Sequence, residues 1–418
     1  MITRSGLALT VSLCTLGAGG VLAGEQPQLP NGKGKDVVEA VCTGCHPVTQ
    51  ILNSSGYSRE HWAELIGTMI DLSDSRETRD EVVGYLTSHF PPNTKRVSLP
   101  VAGTHQIRFQ QWTVPTLGQR SRDPVEAPDG SIWWVGQFGN IMGRLDPKTG
   151  SMKEFQLPEN AKPHSVTIDA DGNPWYTGNA NGTIGKLDAK TGEVLKVYKM
   201  PDPAARDPHT AEFDRNGILW FTLQQSNMFG RLDPKTGDIK LVTAKTPRSL
   251  PYGVKIDADG TPWYACNGSN CLVKVDAKTM EQTEIKLPTP GTTVRRLDIA
   301  ADGSIWFVNS AKGKIGRYSP KTGEIKEWDS PSGPASHPYA LAVVDGIVWY
   351  NESGVRPDML VRFDPKSEKF QSWSIASGGV HAGIIRHMRP ARNGDLLVHQ
   401  SSTNRIMRVS VKGIAPSS

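Results

Sequence analysis

The sequence predicts a small all-α domain followed by an all-β seven-bladed β-propeller, and three observations carry that expectation. From about residue 105 onward one pattern recurs roughly every 43 residues. Inside each repeat, apolar and polar residues alternate with period two between closely spaced turn residues, the signature of short strands. Before residue 93 the apolar period is instead helical, over two short amphipathic stretches.

Composition sets the bounds. With 418 residues there is length for two or three domains. Hydrophobic residues make up 37% and charged residues 21%, a soluble balance too polar for a membrane bundle. The net charge is +5, from 47 Lys and Arg against 42 Asp and Glu, and no basic block concentrates it. That argues against a nucleic-acid partner and is compatible with an acidic redox partner protein.

The elements follow in chain order. Residues 1–23 read as a cleavable export signal: Arg4, an apolar core from Gly6 to Leu16, and Val21-Leu22-Ala23 before Gly24. The apolar core is too short for a membrane span. The expected location is therefore the periplasm, where disulfides persist.

Cys42-Thr43-Gly44-Cys45-His46 is C-x-x-C-H, the attachment pattern of haem c. Two thiols one helical turn apart reach the two vinyl groups of one porphyrin, and the adjacent His46 becomes the proximal iron ligand. A helix is expected from Arg59 to Ile70, with Trp62, Leu65, Ile66 and Met69 on one face, and another from Glu77 to Phe90. Met69 is the candidate distal ligand, with His89 and His61 behind it. Residues 35–92 thereby resemble the short class I cytochrome c domains, with one covalent haem c. Residues 93–104 form the linker, beginning after Pro91-Pro92.

Residues 105–412 then repeat. Leu145-Asp146-Pro147-Lys148-Thr149-Gly150 returns at Asp188 and Asp233, and in degraded form at Asp276, Ser319 and Asp364. Ahead of each copy stands a Gly-x-x-Trp, so six of the eleven Trp, from Trp133 to Trp349, share one repeat position. They are expected to pack between blades. A worn seventh copy lies at Asn393 to Val411, and the strand-like His105 to Val114 is expected to complete it and close the ring. Cys266 and Cys271 flank a four-residue hairpin loop, a spacing that suits a disulfide.

Counting eight residues back from each repeat Gly (seven in the shorter sixth blade) gives Arg122, His164, His209, Tyr252, Arg295, Tyr339 and Arg386. Equivalent positions at the start of innermost strands should line the mouth of the central funnel. No acid is among them, which suits a polar or anionic small molecule or the edge of a docked haem.

By its repeats the propeller resembles the streptogramin B (virginiamycin B) lyase family. The shared features are Asp-Gly-x-x-Trp, the following Ile-Gly-Arg/Lys-Leu-Asp, and Pro163-His164, Pro208-His209, Pro251-Tyr252 and Pro338-Tyr339 entering blades. The resemblance implies a Glu-Pro-His, a later Glu, and magnesium for elimination across an ester. Here the nearest match is His337-Pro338-Tyr339 followed by Glu352, so only Glu352 matches. The catalytic candidates are His164, His209, His337, Tyr339 and Glu352, with a divalent metal in the propeller as a possible cofactor. Three functions compete. The expectation taken forward is a periplasmic electron-transfer cytochrome whose propeller binds a redox partner or small molecule. The alternatives are a haem-coupled, quinoprotein-like dehydrogenase and a streptogramin-lyase-like C–O lyase.

Overall fold

The structure, a computed structural model, describes residues 28–43, 48–52, 57–67, 69–91, 97–375 and 385–412. The expected export signal lies outside the described residues, as do Gly44, Cys45 and His46 of the C-x-x-C-H pattern. None of the described helices is long and apolar enough to cross a membrane.

Among the described residues, four helices precede the propeller: α1 (Lys35–Cys42), α2 (Val48–Leu52), α3 (Arg59–Gly67) and α4 (Arg76–His89). Val38 of α1, Trp62, Leu65 and Ile66 of α3, and Val82, Val83, Tyr85 and Leu86 of α4 form one buried cluster. The Trp62 indole donates to the Phe90 carbonyl at 3.3 Å, tying α3 to the end of α4. The helix expected to run to Ile70 is described only as far as Gly67, a residue that propagates a helix poorly. Met69 therefore falls in the turn after α3, packed against the helical core instead of lying on a helix face. The His89 ring lies tilted against the Tyr85 ring, centroids 4.4 Å apart.

Seven four-stranded antiparallel sheets follow. Six take their strands in sequence, over residues 121–156, 163–199, 208–243, 251–286, 294–329 and 338–374, and are numbered blades one to six in that order. The seventh combines three strands from residues 388–410 with Arg108–Thr113 as its outer strand. Arg108 pairs with Ser410 and Thr113 with Arg405, so the chain closes its own ring and leaves no free edge there.

The repeat signatures have local causes. In Asp-Pro-Lys-Thr-Gly, the Asp146 carboxylate accepts from the Lys148 amide at 2.9 Å, and Gly150 takes φ +77° to turn the hairpin. The Trp sits on the second strand, fully buried, and Trp175 clusters with Ala211, Leu219 and Phe221 of the next blade. Its indole donates to Asp169 at 2.8 Å; Trp220 and Trp263 do the same to Asp214 and Asp257. The Gly of Ile-Gly-Arg/Lys is fixed by its neighbour across the strand pair. A Cβ on Gly143, Gly185, Gly230 or Gly316 would fall within the ring of Trp134, Tyr176, Phe221 or Phe307 respectively.

One local expectation is corrected. Cys266 and Cys271 stand at facing ends of a hairpin in blade four as buried free thiols, not as a bridge. Burial pushes the Cys266 thiol well up, while a hydrogen bond with Cys266 holds Cys271 down.

Candidate functional site at the mouth of the propeller channel

The innermost strand of each of the first six blades carries a register shift just after its start, for example between Arg122 and Val125 and between Val294 and Leu297. Such a bulge re-aims side chains. Here it turns two consecutive residues toward the axis, and a third follows two positions later. The channel is therefore built in three layers.

The outer layer is the set found by counting along the repeats, and the structure brings all seven together. Arg122 donates from Nη2 to His164 Nε2 at 2.5 Å and from Nη1 to Gln137 at 2.6 Å. The His164 and His209 rings lie 3.4 Å apart, and His209 lies 4.2 Å from Tyr252. The Tyr252 and Tyr339 hydroxyls share a short hydrogen bond. Arg295 donates to the Tyr339 hydroxyl at 3.3 Å, its guanidinium 4.5 Å above that ring, and Arg386 approaches the same ring at 5.9 Å. Arg120 joins the layer next to Arg122 and Arg386.

The imidazoles here are not free bases. Because Arg122 occupies His164 Nε2, the His164 proton sits on Nδ1, which donates to the His209 carbonyl at 3.1 Å. Burial, then Arg122, then His209 push the His164 pKa well down. Thr210 Oγ1 accepts from Arg296 at 3.0 Å and is hydrogen-bonded to His209 Nδ1, also at 3.0 Å. Burial and Arg296 hold that ring neutral too.

Tyr339 is different. Burial pushes its phenol up, but Arg295, Arg386, the hydrogen bond from Tyr252 and Arg122 outweigh it and bring the pKa to about 7. Tyr252 shifts the other way, raised by burial and by Tyr339.

The middle layer was missed in the sequence. Asp123, fully buried, lies 3.9 Å from Arg296 across the axis and accepts from His387 Nδ1 at 3.1 Å. Burial alone would raise the Asp123 carboxyl, but His387, Arg296 and Arg122 drive it well below the usual range. Gly253 occupies the same register in blade four, where a Cβ would meet the Arg295 carbonyl at 2.9 Å and crowd Arg296. The signal was available: each of these residues directly follows an outer-layer residue. The inner layer is Glu212, Lys255, Asp298 and Arg389. Lys255 reaches Glu212 at 3.1 Å and Asp298 at 3.8 Å, and Arg389 lies in the field of both acids.

Two candidates stand elsewhere. Glu352 is fully buried, and its carboxylate accepts from Ser330 Oγ at 2.6 Å, the Ser332 amide at 2.9 Å and the Ser332 hydroxyl. It caps a loop. His337 takes φ +49° at the end of a short 3-10 turn, and its carbonyl accepts from Ser353 Oγ at 2.9 Å. A divalent cation does not fit these donors. The one matching carboxylate is committed to serines, and the axis is lined by guanidiniums. Among the described residues no group of three or more His, Cys, Asp or Glu is placed to hold a metal ion.

A ring-closed propeller whose blade-entry residues converge on a polar axial site defines the class of the protein. The sequence pattern of the Virginiamycin B lyase family matches residues 103–355 and 238–417, about three-quarters of the chain, and the chain belongs to that family. Among solved structures it is similar to the selenomethionine-substituted virginiamycin B lyase of Staphylococcus aureus. That match has 24% identity and a TM-score of 0.66, over 73% of this chain and 99% of that one. A catalytically inactive His-to-Ala variant of the S. aureus enzyme with quinupristin matches at 24% identity and TM-score 0.65, over 73% and 99%. An extracellular domain from B. thetaiotaomicron matches at 13% and 0.54, over 76% of this chain and 43% of that one. At these identities the likeness shows the fold. No curated protein matches the chain.

These findings correct the electron-transfer reading. The family match begins at residue 103 and the solved structures share the propeller, so the comparisons support the lyase-like alternative and give no support to a cytochrome function. The residues expected to carry the haem lie partly outside the described chain, and Met69 leaves the helix face on which its candidacy rested.

Proposed function

We propose that the propeller is a C–O lyase acting on a small molecule in the outer layer of the channel, with Tyr339 as the base. The observation that carries this reading is the surroundings of the Tyr339 hydroxyl: Arg295 at 3.3 Å, Arg386 beside the ring, and Tyr252 as hydrogen-bond partner. Three features support it. The family includes enzymes named as lyases, a group with a pKa near neutrality is suited to proton transfer, and of the neighbouring imidazoles His164 has its basic nitrogen occupied by Arg122 while burial pushes both well down. His387, oriented by Asp123, stands one layer deeper.

The step balances without a redox partner. The Tyr339 phenolate takes the proton α to an acyl group. The C–H electron pair becomes the C=C bond, the Cβ–O bond breaks, and its electrons leave on oxygen. Arg122, Arg295 and Arg386 stabilise the negative charge that develops on the acyl oxygen and on the leaving oxygen. Preorganised donors of this kind contribute about 3–4 kcal/mol each when removed singly elsewhere. In this reading arginines supply the charge stabilisation that a metal would give. With the export signal expected at residues 1–23, the activity is proposed for the periplasm.

The test is to incubate the full chain with β-acyloxy and β-alkoxy acyl compounds, quinupristin among them, and follow the ultraviolet absorbance of a conjugated double bond. Unsaturated product formed by the parent chain and lost in Tyr339→Phe supports the proposal. Saturated alcohol from water addition, or unchanged turnover in Tyr339→Phe, overturns it.

A further inference from the structure

We infer that the outer layer holds a carboxylate of the substrate, which is a carboxylic acid bearing an alkoxy or acyloxy group on its β-carbon. This rests on the elimination reading and extends it from reaction to substrate class.

The inference comes from the distribution of charge along the axis. In the inner layer Lys255 and Arg389 face Glu212 and Asp298, two cations against two anions. In the middle layer Arg296 faces Asp123. In the outer layer Arg120, Arg122, Arg295 and Arg386 gather, and among the described residues no carboxylate shares their register. The nearest is Asp123, which already serves Arg296 and His387. Burial, then Arg386 and Arg122, push Arg120 well below its ordinary range, against the pull of Tyr339 and Tyr252. The Nε–H groups of Arg122, Arg295 and Arg386 are buried and have no hydrogen-bond partner among the described residues. A buried donor left unpaired is destabilising, and here three arise in one layer. The guanidinium fork matches a carboxylate in two parallel hydrogen bonds. The unmatched cations thus specify an anionic ligand.

The chemistry selects a carboxylate next to the reacting carbon. Removing a proton α to a carboxylate forms a dianion, which is steeply uphill in water. Guanidiniums bound to that carboxylate neutralise it before the proton leaves, and the α-proton becomes acidic enough for a phenolate to take. Tyr339 stands directly among the same arginines, so one cluster can acidify the substrate and orient its base.

The test is direct binding, without turnover. Titration calorimetry of the full chain uses malonate, succinate, malate and tricarballylate, their methyl esters, and inorganic phosphate. At least one acid is expected to bind with a Kd below about 1 mM. Binding should weaken about tenfold or more in Arg386→Gln and in Arg295→Gln, each shown to be folded by circular dichroism, while Tyr339→Phe keeps it. Equal binding of the esters overturns the inference. So does phosphate binding as tightly as the best acid, or no acid binding at about 10 mM. Carboxylate binding with no unsaturated product from any substrate would sink the elimination reading and leave the anion site standing.

Discussion

The two ends of the propeller channel are made from the same seven strands, yet they handle charge in opposite ways. At the inner end Lys255 is clasped by Glu212 and Asp298, and Arg389 answers the same acids, so the layer closes on itself. At the outer end Arg122, Arg295 and Arg386 surround two tyrosines and two neutral histidines, and among the described residues no carboxylate shares their register. A buried charge removed from water must be answered by a partner or it destabilises the fold. The inner layer meets that demand internally and works as a plug. The outer layer leaves it for a ligand to meet. Two layers three residues apart on one strand thus separate stability from function.

The largest expected effect tests the functional end. Tyr339→Phe should lower turnover by about 10²- to 10⁴-fold, the range for losing a general base, with carboxylate binding retained. A larger loss from His387→Gln than from Tyr339→Phe would move the base one layer inward.

At the plug, Lys255→Met should cost about 3 kcal/mol in urea unfolding, because it leaves Glu212 and Asp298 facing each other without a cation. Turnover per folded molecule should stay within a few-fold. A stable variant with altered substrate affinity would show that the two layers are not separate.

The pH profile should distinguish the ends again. Since the phenolate is the active form, kcat/KM is expected to rise about tenfold per unit below pH 7 and to level above it. In Tyr339→Phe that rise should vanish. A profile that falls as pH rises through 7 would assign the essential group to an acid.

The smallest effect concerns Glu352. Glu352→Gln keeps its shape but weakens the grip on Ser330 and Ser332, so stability should fall by about 1–2 kcal/mol with turnover unchanged. Loss of turnover in a folded variant would return Glu352 to the reacting centre.

Much of this contrast was legible in the chain. The Asp-x-Lys-Thr-Gly turn and the Gly-x-x-Trp strand fix where each blade starts, so a constant offset from the repeat Gly reaches Arg122 through Arg386. The closing strand Arg108–Thr113 was readable because a strand without a blade has one free edge to fill. Asp123 and Arg296 were not found, since strict alternation assigns the residue after an inward one to the opposite face. The bulge breaks that alternation. His387 was missed because it precedes the short first strand of blade seven, where no alternation could be read. The surroundings of Glu352 were hidden for the converse reason: its position in the repeat matches the family, but the serines that bond its carboxylate come from a loop about twenty residues upstream.

The sequence by itself determined the seven-bladed frame, the blade boundaries and the seven outer-layer residues, because these depend on periodicity and turn chemistry within some 43 residues. Only the tertiary structure decided which charges meet. Arg296 finds Asp123, and Arg295 finds Tyr339, across 173 and 44 residues of chain respectively, in contacts that exist only once the ring has closed. Whether a tyrosine is held near neutrality or raised depends on those distances. Tyr252 and Tyr339 follow prolines at the same place in their repeats, yet their pKa values move in opposite directions because Arg295 donates to one hydroxyl and lies farther from the other ring.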